Sequence, residues 1–184
     1  RESQRATPEV VRRIEERWAG LLPRVEAKLQ AVNGFDRGQE MRLLDQAAQA
    51  SSVAKRVMWL RKAADTLHGS VASLAACRKG CSHCCHISVM LSRAEAKVIA
   101  KETRGRFNEA AVQITLDDTQ ERRDALEAIT RQIYGQAWIF LREGSCSIYS
   151  SRPLPCRLLA NMDDDDLLCQ LVENGAKNVP YLNT

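Results

Sequence analysis

Cys77-Arg78-Lys79-Gly80-Cys81-Ser82-His83-Cys84-Cys85-His86 gathers four of the chain's seven cysteines and two of its three histidines into ten residues. The spacing is C-x3-C-x2-C-C. Cysteines two to four residues apart can turn two thiolates onto one soft ion, with metal–sulfur distances of about 2.3 Å. Gly80, just before Cys81, supplies the backbone freedom that a tight ligand loop needs. The stretch reads as part of a metal site, and metal ions are the first partner expected.

The rest of the composition agrees. Seven thiols cannot all pair within the chain, and a bridge between the adjacent Cys84 and Cys85 would be strained. Reduced, metal-bound thiols in a cytoplasm are therefore expected. A net charge of +4, with 27 basic and 23 acidic residues dispersed along the chain, favours solubility over nucleic-acid binding, so no nucleic-acid partner is expected. No apolar run approaches the roughly eighteen residues of a membrane span, no signal peptide is visible, and no membrane partner is expected. An upstream segment trimmed before Arg1 stays open. With 184 residues, 45% hydrophobic and 27% charged, one compact globular domain is the simplest organisation. Aromatics are sparse and Ala, Leu, Arg and Glu plentiful, so the fold class expected is mainly α, a helical bundle stapled by a Cys-rich metal site.

Upstream of the cluster, residues 1–76 form a helical region expected to pack on a metal-binding region at 77–184. Thr7-Pro8-Glu9 opens the first helix, with Thr7 as N-cap and Pro8 at the first helical position. Val10, Val11, Ile14, Trp18, Leu21 and Leu22 recur at helical spacing. Pro23 is expected to interrupt this helix, which resumes through Val25, Leu29 and Val32 to a C-cap at Asn33-Gly34. These helices serve for packing or for a protein partner. A long second helical region runs from about Gln39 to Ala76, with a break expected at His68-Gly69-Ser70. His68 reads as an ordinary helix-end residue.

Downstream, Ile87–Leu91 is expected to be extended, and Ser92-Arg-Ala-Glu95 is a capping box opening a helix that Gly105 ends. Phe107–Leu116 is ambiguous, a short helix being one reading. Asp117-Asp118 cap another helix, which finishes at Gly135. Trp138–Leu141 and Cys146–Tyr149 flank Arg142-Glu-Gly-Ser145 as a small β-hairpin. The acidic run Asp163–Asp166 reads as a solvated turn leading into a last short helix. Four consecutive carboxylates do not converge on a hard cation without a loop to fold them.

Cys146, Cys156 and Cys169 form a second set of thiols. Each alone could be a core cysteine; beside the first cluster, shared metal ligation is the reading taken. The set lies in Phe140-Leu141, then Cys146-x-Ile148-Tyr149-x2-Arg152-Pro153-x2-Cys156-Arg157. With Cys77-x3-Cys81-x2-Cys84-Cys85 and the acid-bearing helix start at Ser92–Glu95, this resembles the YkgJ-type family. That family is the CxxCxxCC-type zinc- or iron-chelating domain of bacterial proteins. The resemblance implies ligation of zinc or iron by the seven cysteines. Members commonly carry Cys-Pro before the Phe-Leu pair, where this chain has Trp138-Ile139, so an eighth thiol is missing. His86, His83 or a water could replace it, and His86 is favoured because it directly extends the cluster.

Adjacent cysteines point apart in most backbone conformations, so Cys84 and Cys85 suggest two neighbouring ions, a polynuclear centre, or one site plus a structural thiol. Zinc comes first; iron or an iron–sulfur cluster comes second, because the usual ferredoxin spacings do not match. Four zinc-bound thiolates carry a charge of about −2, and Arg152 and Arg157 are candidates to offset it, with Arg78 and Lys79 the less favoured. Tyr149 and Trp138 read as core or site-shielding residues. Phosphate loops, dinucleotide fingerprints and Ser/His/Asp arrangements are absent, so a structural or metal-handling role outranks catalysis. The resemblance still admits an enzyme, since related cysteine motifs occur in bacterial flagellin lysine methylases. Thiolates beside Arg and Lys would also suit a redox sensor.

Overall fold

A computed structural model describes residues 7–32, 37–78, 80–109, 120–170 and 179. The described residues are mainly helical, with one two-stranded antiparallel hairpin. Helix α1 spans Pro8–Ala19, and the Thr7 side chain accepts from the Val10 N–H at its start. The interruption falls at Gly20, three residues ahead of the expected one, and α2 runs Leu21–Gln30 straight through Pro23. Pro23 lies in the first turn of α2, where a backbone N–H has no helical partner to lose, so the proline is tolerated. Asn33-Gly34, Asp117-Asp118, and residues 110–116 of the ambiguous stretch lie outside the described residues.

The long second helical region is two helices, α3 (Arg37–Ala48) and α4 (Val53–Val71). Ser52 starts α4 by accepting from the Lys55 N–H. His68-Gly69-Ser70 does not break α4, and the chain reaches Cys77 through turns after Val71. The capping box holds at α5 (Arg93–Glu102), where Ser92 accepts from Glu95 N–H. Helix α6 (Gln120–Ile133) is followed by Gly135 at φ 80°. The hairpin pairs β1 (Leu141–Arg142) with β2 (Ser145–Cys146), Leu141 opposite Cys146. Its turn shrinks to two residues, Glu143 and Gly144, both with positive φ, as a right-twisted two-residue hairpin requires. Helix α7 is short, Leu154–Leu158, entered from the buried Pro153. No helix among the described residues is long and apolar enough to cross a membrane.

Two apolar clusters tie the N-terminal helices to the Cys-rich segment. Ile14 of α1 and Leu21 of α2 bury against Leu167 and Leu168, in the 3-10 turn Leu167–Cys169. Val71 of α4 buries against Ala160 and Met162, with Val25 of α2 alongside. Helix α4 is the spine: α3, α5 and α7 all pack on it.

Polar groups lock α4 to α7. Arg61, one helical turn before Asp65, is buried; it donates to Glu102 at 2.8 Å and to the Ser151 carbonyl at 3.2 Å, with Glu95 3.6 Å away. Glu95 is buried as well and accepts from the Leu154 N–H at 2.9 Å, so it caps α7 as well as belonging to its own helix. Arg157 of α7 grips Asp65 with distances of 2.6 and 2.7 Å.

The acidic run is not a solvated turn. Asp163 is fully buried and meets Arg17 at 3.2 Å and Arg24 at 3.4 Å. Asp164 reaches Lys28, Asp165 reaches Arg17, and Asp166 reaches His83. Burial raises the Asp165 carboxyl, but the Leu167 N–H and Arg17 outweigh it and hold the group below its ordinary range. The four carboxylates diverge onto cations of α1, α2 and the cysteine loop because each side chain leaves the bend in a different direction.

Candidate metal centre

Cys77 follows the turns after α4, and Gly80 takes φ 92° in the loop to Cys81, a conformation that suits a residue without Cβ. A 3-10 turn, His83–His86, then presents Cys84 and Cys85. The chain after α6 is zipped to this turn: Gly135 N–H donates to the His86 carbonyl at 2.8 Å and Trp138 N–H to the Cys85 carbonyl at 2.6 Å. Cys146 arrives on β2, Cys156 on α7 and Cys169 on the last 3-10 turn.

All seven thiols are free and half-buried. Five of them, Cys81, Cys84, Cys85, Cys146 and Cys156, line one cavity of about 410 Å³. Cys77 and Cys169 are not among its lining residues and are joined by Asn161. The Asn161 backbone N–H donates to Cys77 Sγ and its side-chain Nδ2 to Cys169 Sγ, each at 3.2 Å. Sequence reasoning missed Asn161, since a single Asn between Ala160 and Met162 carries no local signal.

Adjacent cysteines were expected to point apart, and here they do not. Both Cys84 and Cys85 line the cavity, and the Cys84 thiol hydrogen-bonds Cys85. That bond is the main reason Cys84 is raised and Cys85 lowered from the ordinary thiol range. Burial, then the charges of Cys84 and Cys146, push Cys156 up to about 12. Cys169 is likewise pushed up to about 12 by burial and by Cys77 and Cys81. Cys77 is raised by burial, against the Asn161 N–H.

Such thiols stay protonated at neutral pH unless a cation compensates them, which is the service a soft metal ion provides. The donor set therefore fits zinc or iron, both of which accept thiolates. Among the described residues, no three Cys, His, Asp or Glu side chains are already arranged to hold one ion.

Arg152 is the cation of the cavity. It lines the wall, its guanidinium lies 4.3 Å above the Tyr149 ring, and its charge lowers Cys77, Cys84 and Cys156. Its Nε is buried with no hydrogen-bond partner among the described residues. Arg157 behaves differently from the sequence expectation. Its nitrogens bond Asp65 and the carbonyls of Arg152 and Ser150, so it holds backbone and a carboxylate rather than sulfur. Arg78 is an exposed cation 3.7 Å from Asp166, and Lys79 lies outside the described residues.

Neither histidine of the cluster lines the cavity. His83 Nε2 lies 3.1 Å from Asp166 and His86 Nδ1 3.4 Å from the Gly135 carbonyl. Trp138 lines the wall instead, its ring 5.8 Å from Phe140. His68 of α4 sits near Arg152 with its Nδ1 buried and unpartnered among the described residues; burial, then Arg152, lower its pKa.

The model of the CxxCxxCC family, described as "Putative zinc- or iron-chelating domain", matches residues 76–176. Neither a curated protein nor a solved structure matches the chain. The family's name spells C-x2-C-x2-C-C, so this chain carries one extra residue in its first gap, in the loop where Gly80 turns. Because the match covers just over half of the chain and takes in all seven cysteines, the chain belongs to the CxxCxxCC family.

Proposed function

We propose that the chain binds two neighbouring soft metal ions, zinc ahead of iron, in a structural or metal-handling role. Cys77, Cys81, Cys84 and Cys169 hold one ion. Cys85, Cys146 and Cys156 hold the other, with one coordination position open to a donor from outside the chain.

The observation that carries this reading is the division of the thiols. Cys77 and Cys169 share Asn161, and Cys169 feels the charges of Cys77, Cys81 and Cys84. Cys85 feels first those of Cys146 and Cys156, then that of Cys81, on the cavity side. Cys84 also touches Cys85, which puts it at the seam, where a thiolate can serve either ion. Four thiolates close a tetrahedral zinc site, whereas three leave a position free. Arg152, beside both sets, offsets the negative charge.

Elemental analysis of the full chain purified without added metal tests this, with anomalous scattering at the zinc and iron edges to identify the ion. About two equivalents are expected in the native chain, and about one each in Cys169→Ser and Cys156→Ser. Less than about half an equivalent of any transition metal would sink the reading. A single equivalent, lost completely in either variant, means one shared site instead.

A further inference from the structure

We propose that Asn161 is a positioning residue of the metal centre, one buried residue that holds Cys77 and Cys169 for the ion they share. This rests on the reading above, which gives both thiols to one ion.

Asn161 is 1% exposed, between the equally buried Ala160 and Met162. Its backbone serves Cys77: the carbonyl accepts from the Ala76 N–H at 2.8 Å, and the N–H donates to Cys77 Sγ at 3.2 Å. Its side chain serves Cys169. Nδ2 donates to Cys169 Sγ at 3.2 Å and to the Asp165 carbonyl at 3.1 Å, while Oδ1 accepts from the Asp163 N–H at 2.9 Å. Two cysteines from opposite ends of the Cys-rich segment are thus held by one residue.

The amide fits in one orientation only. Reversed, Nδ2 would meet the Asp163 N–H and Oδ1 the Asp165 carbonyl, donor against donor and acceptor against acceptor. Both amide hydrogens are in use, so turning the side chain off sulfur would leave a buried donor unpaired. Cys169 therefore always faces an N–H.

A thiolate on a metal keeps lone pairs, and an N–H aimed at them stabilises its charge and fixes its direction. Sulfurs that are already held also lose less freedom when an ion arrives. The two contacts can be separated by mutation. Alanine at position 161 keeps the Cys77 contact, which is made by backbone, and loses the Cys169 contact.

Zinc competition between the full chain and a chromophoric chelator tests this, at the binding step that Cys169→Ala weakens. Asn161→Ala should weaken that step by about ten- to a hundredfold, the range for residues that orient a metal ligand. In the Cys169→Ala background the same change should cost less than about threefold, since the sulfur it serves is gone. Equal losses in the two backgrounds overturn the proposal, because a merely structural loss does not depend on Cys169. Unchanged affinity in Asn161→Ala overturns it as well.

The native chain loaded with cadmium-113 gives a second measurement that needs no variant to fold. Scalar coupling passes through N–H···S–Cd links, so the Asn161 backbone N–H and its side-chain amide should both couple to one cadmium resonance. Absence of either coupling, or coupling to two different cadmium resonances, overturns the proposal. Failure of the metal reading looks different: the native chain retains no zinc, or Cys169→Ala binds it as tightly as wild type. Either result removes that reading, and the role of Asn161 with it.

Discussion

Two polar regions hang on the same C-terminal segment and are satisfied in opposite ways. At Asp163–Asp166 every carboxylate meets a cation of the chain: Arg17, Arg24, Lys28 or Arg78. Seven residues before Asp163, Cys156 opens onto a cavity where thiols crowd one another and Arg152 Nε has no partner among the described residues. The acidic corner is complete as it stands, while the raised thiols of the other region stay neutral until a cation compensates them. Buried charge is tolerated only when something neutralises it, and the corner has its own arginines for that.

The sharpest way to break this contrast is to remove metal. A ligand at a thousandfold excess over its dissociation constant adds about 4 kcal/mol. Each kcal/mol is about 2–4 °C in a chain of this size, so a strong chelator should lower the melting temperature by about 8–16 °C. Hydrogen exchange locates the effect: amides of residues 77–86 should lose protection while those of α1 and α2 keep theirs. Equal loss in both regions would show that the corner is not independent of the ion.

Next in size is the corner itself. Asp163→Asn keeps the volume but leaves Arg17 and Arg24 without their buried counter-charge. Both arginines retain some exposure, so the cost is set below that of a fully buried pair, at about 2–3 kcal/mol. Asp164→Asn, on a side chain 52% exposed, should change stability by less than about 0.5 kcal/mol. Thermal melts of the two variants at equal metal content check this. Equal effects would mean that burial does not distinguish the carboxylates.

The smallest effect concerns pH. Burial, then Arg152, hold His68 below its ordinary value of 6.5, so the folded state stays neutral while the unfolded chain takes up a proton. Stability is therefore intact above about pH 6.5 and declines as pH falls through the lower folded value. His68→Gln should flatten that decline between pH 7 and 5. A difference between wild type and variant that stays constant across this range would remove His68 from the acid response.

What was readable in the chain was local. Thr7 and Ser92 cap their helices because a side-chain oxygen reaches an N–H three residues away, and such contacts leave a sequence signature. The hairpin was visible in Glu143-Gly144 for the same reason. The break between α3 and α4 was misread because the apolar spacing runs across it while Ser52 marks the new start. Glu95 was legible as part of a capping box, yet its carboxylate serves Leu154, 59 residues on. Asp163, Asn161 and Arg157 were misjudged or overlooked because their partners are separated from them by 84 to 146 residues.

Sequence alone settles the helical class, the Thr7 and Ser92 caps and the hairpin, since propensity, capping and turn chemistry act over a few residues. Tertiary structure decides which thiols share a cavity, that Arg152 faces them while Arg157 turns to Asp65, and that the acidic run closes on α1 and α2. Those choices depend on burial, and burial is set by which distant surfaces meet.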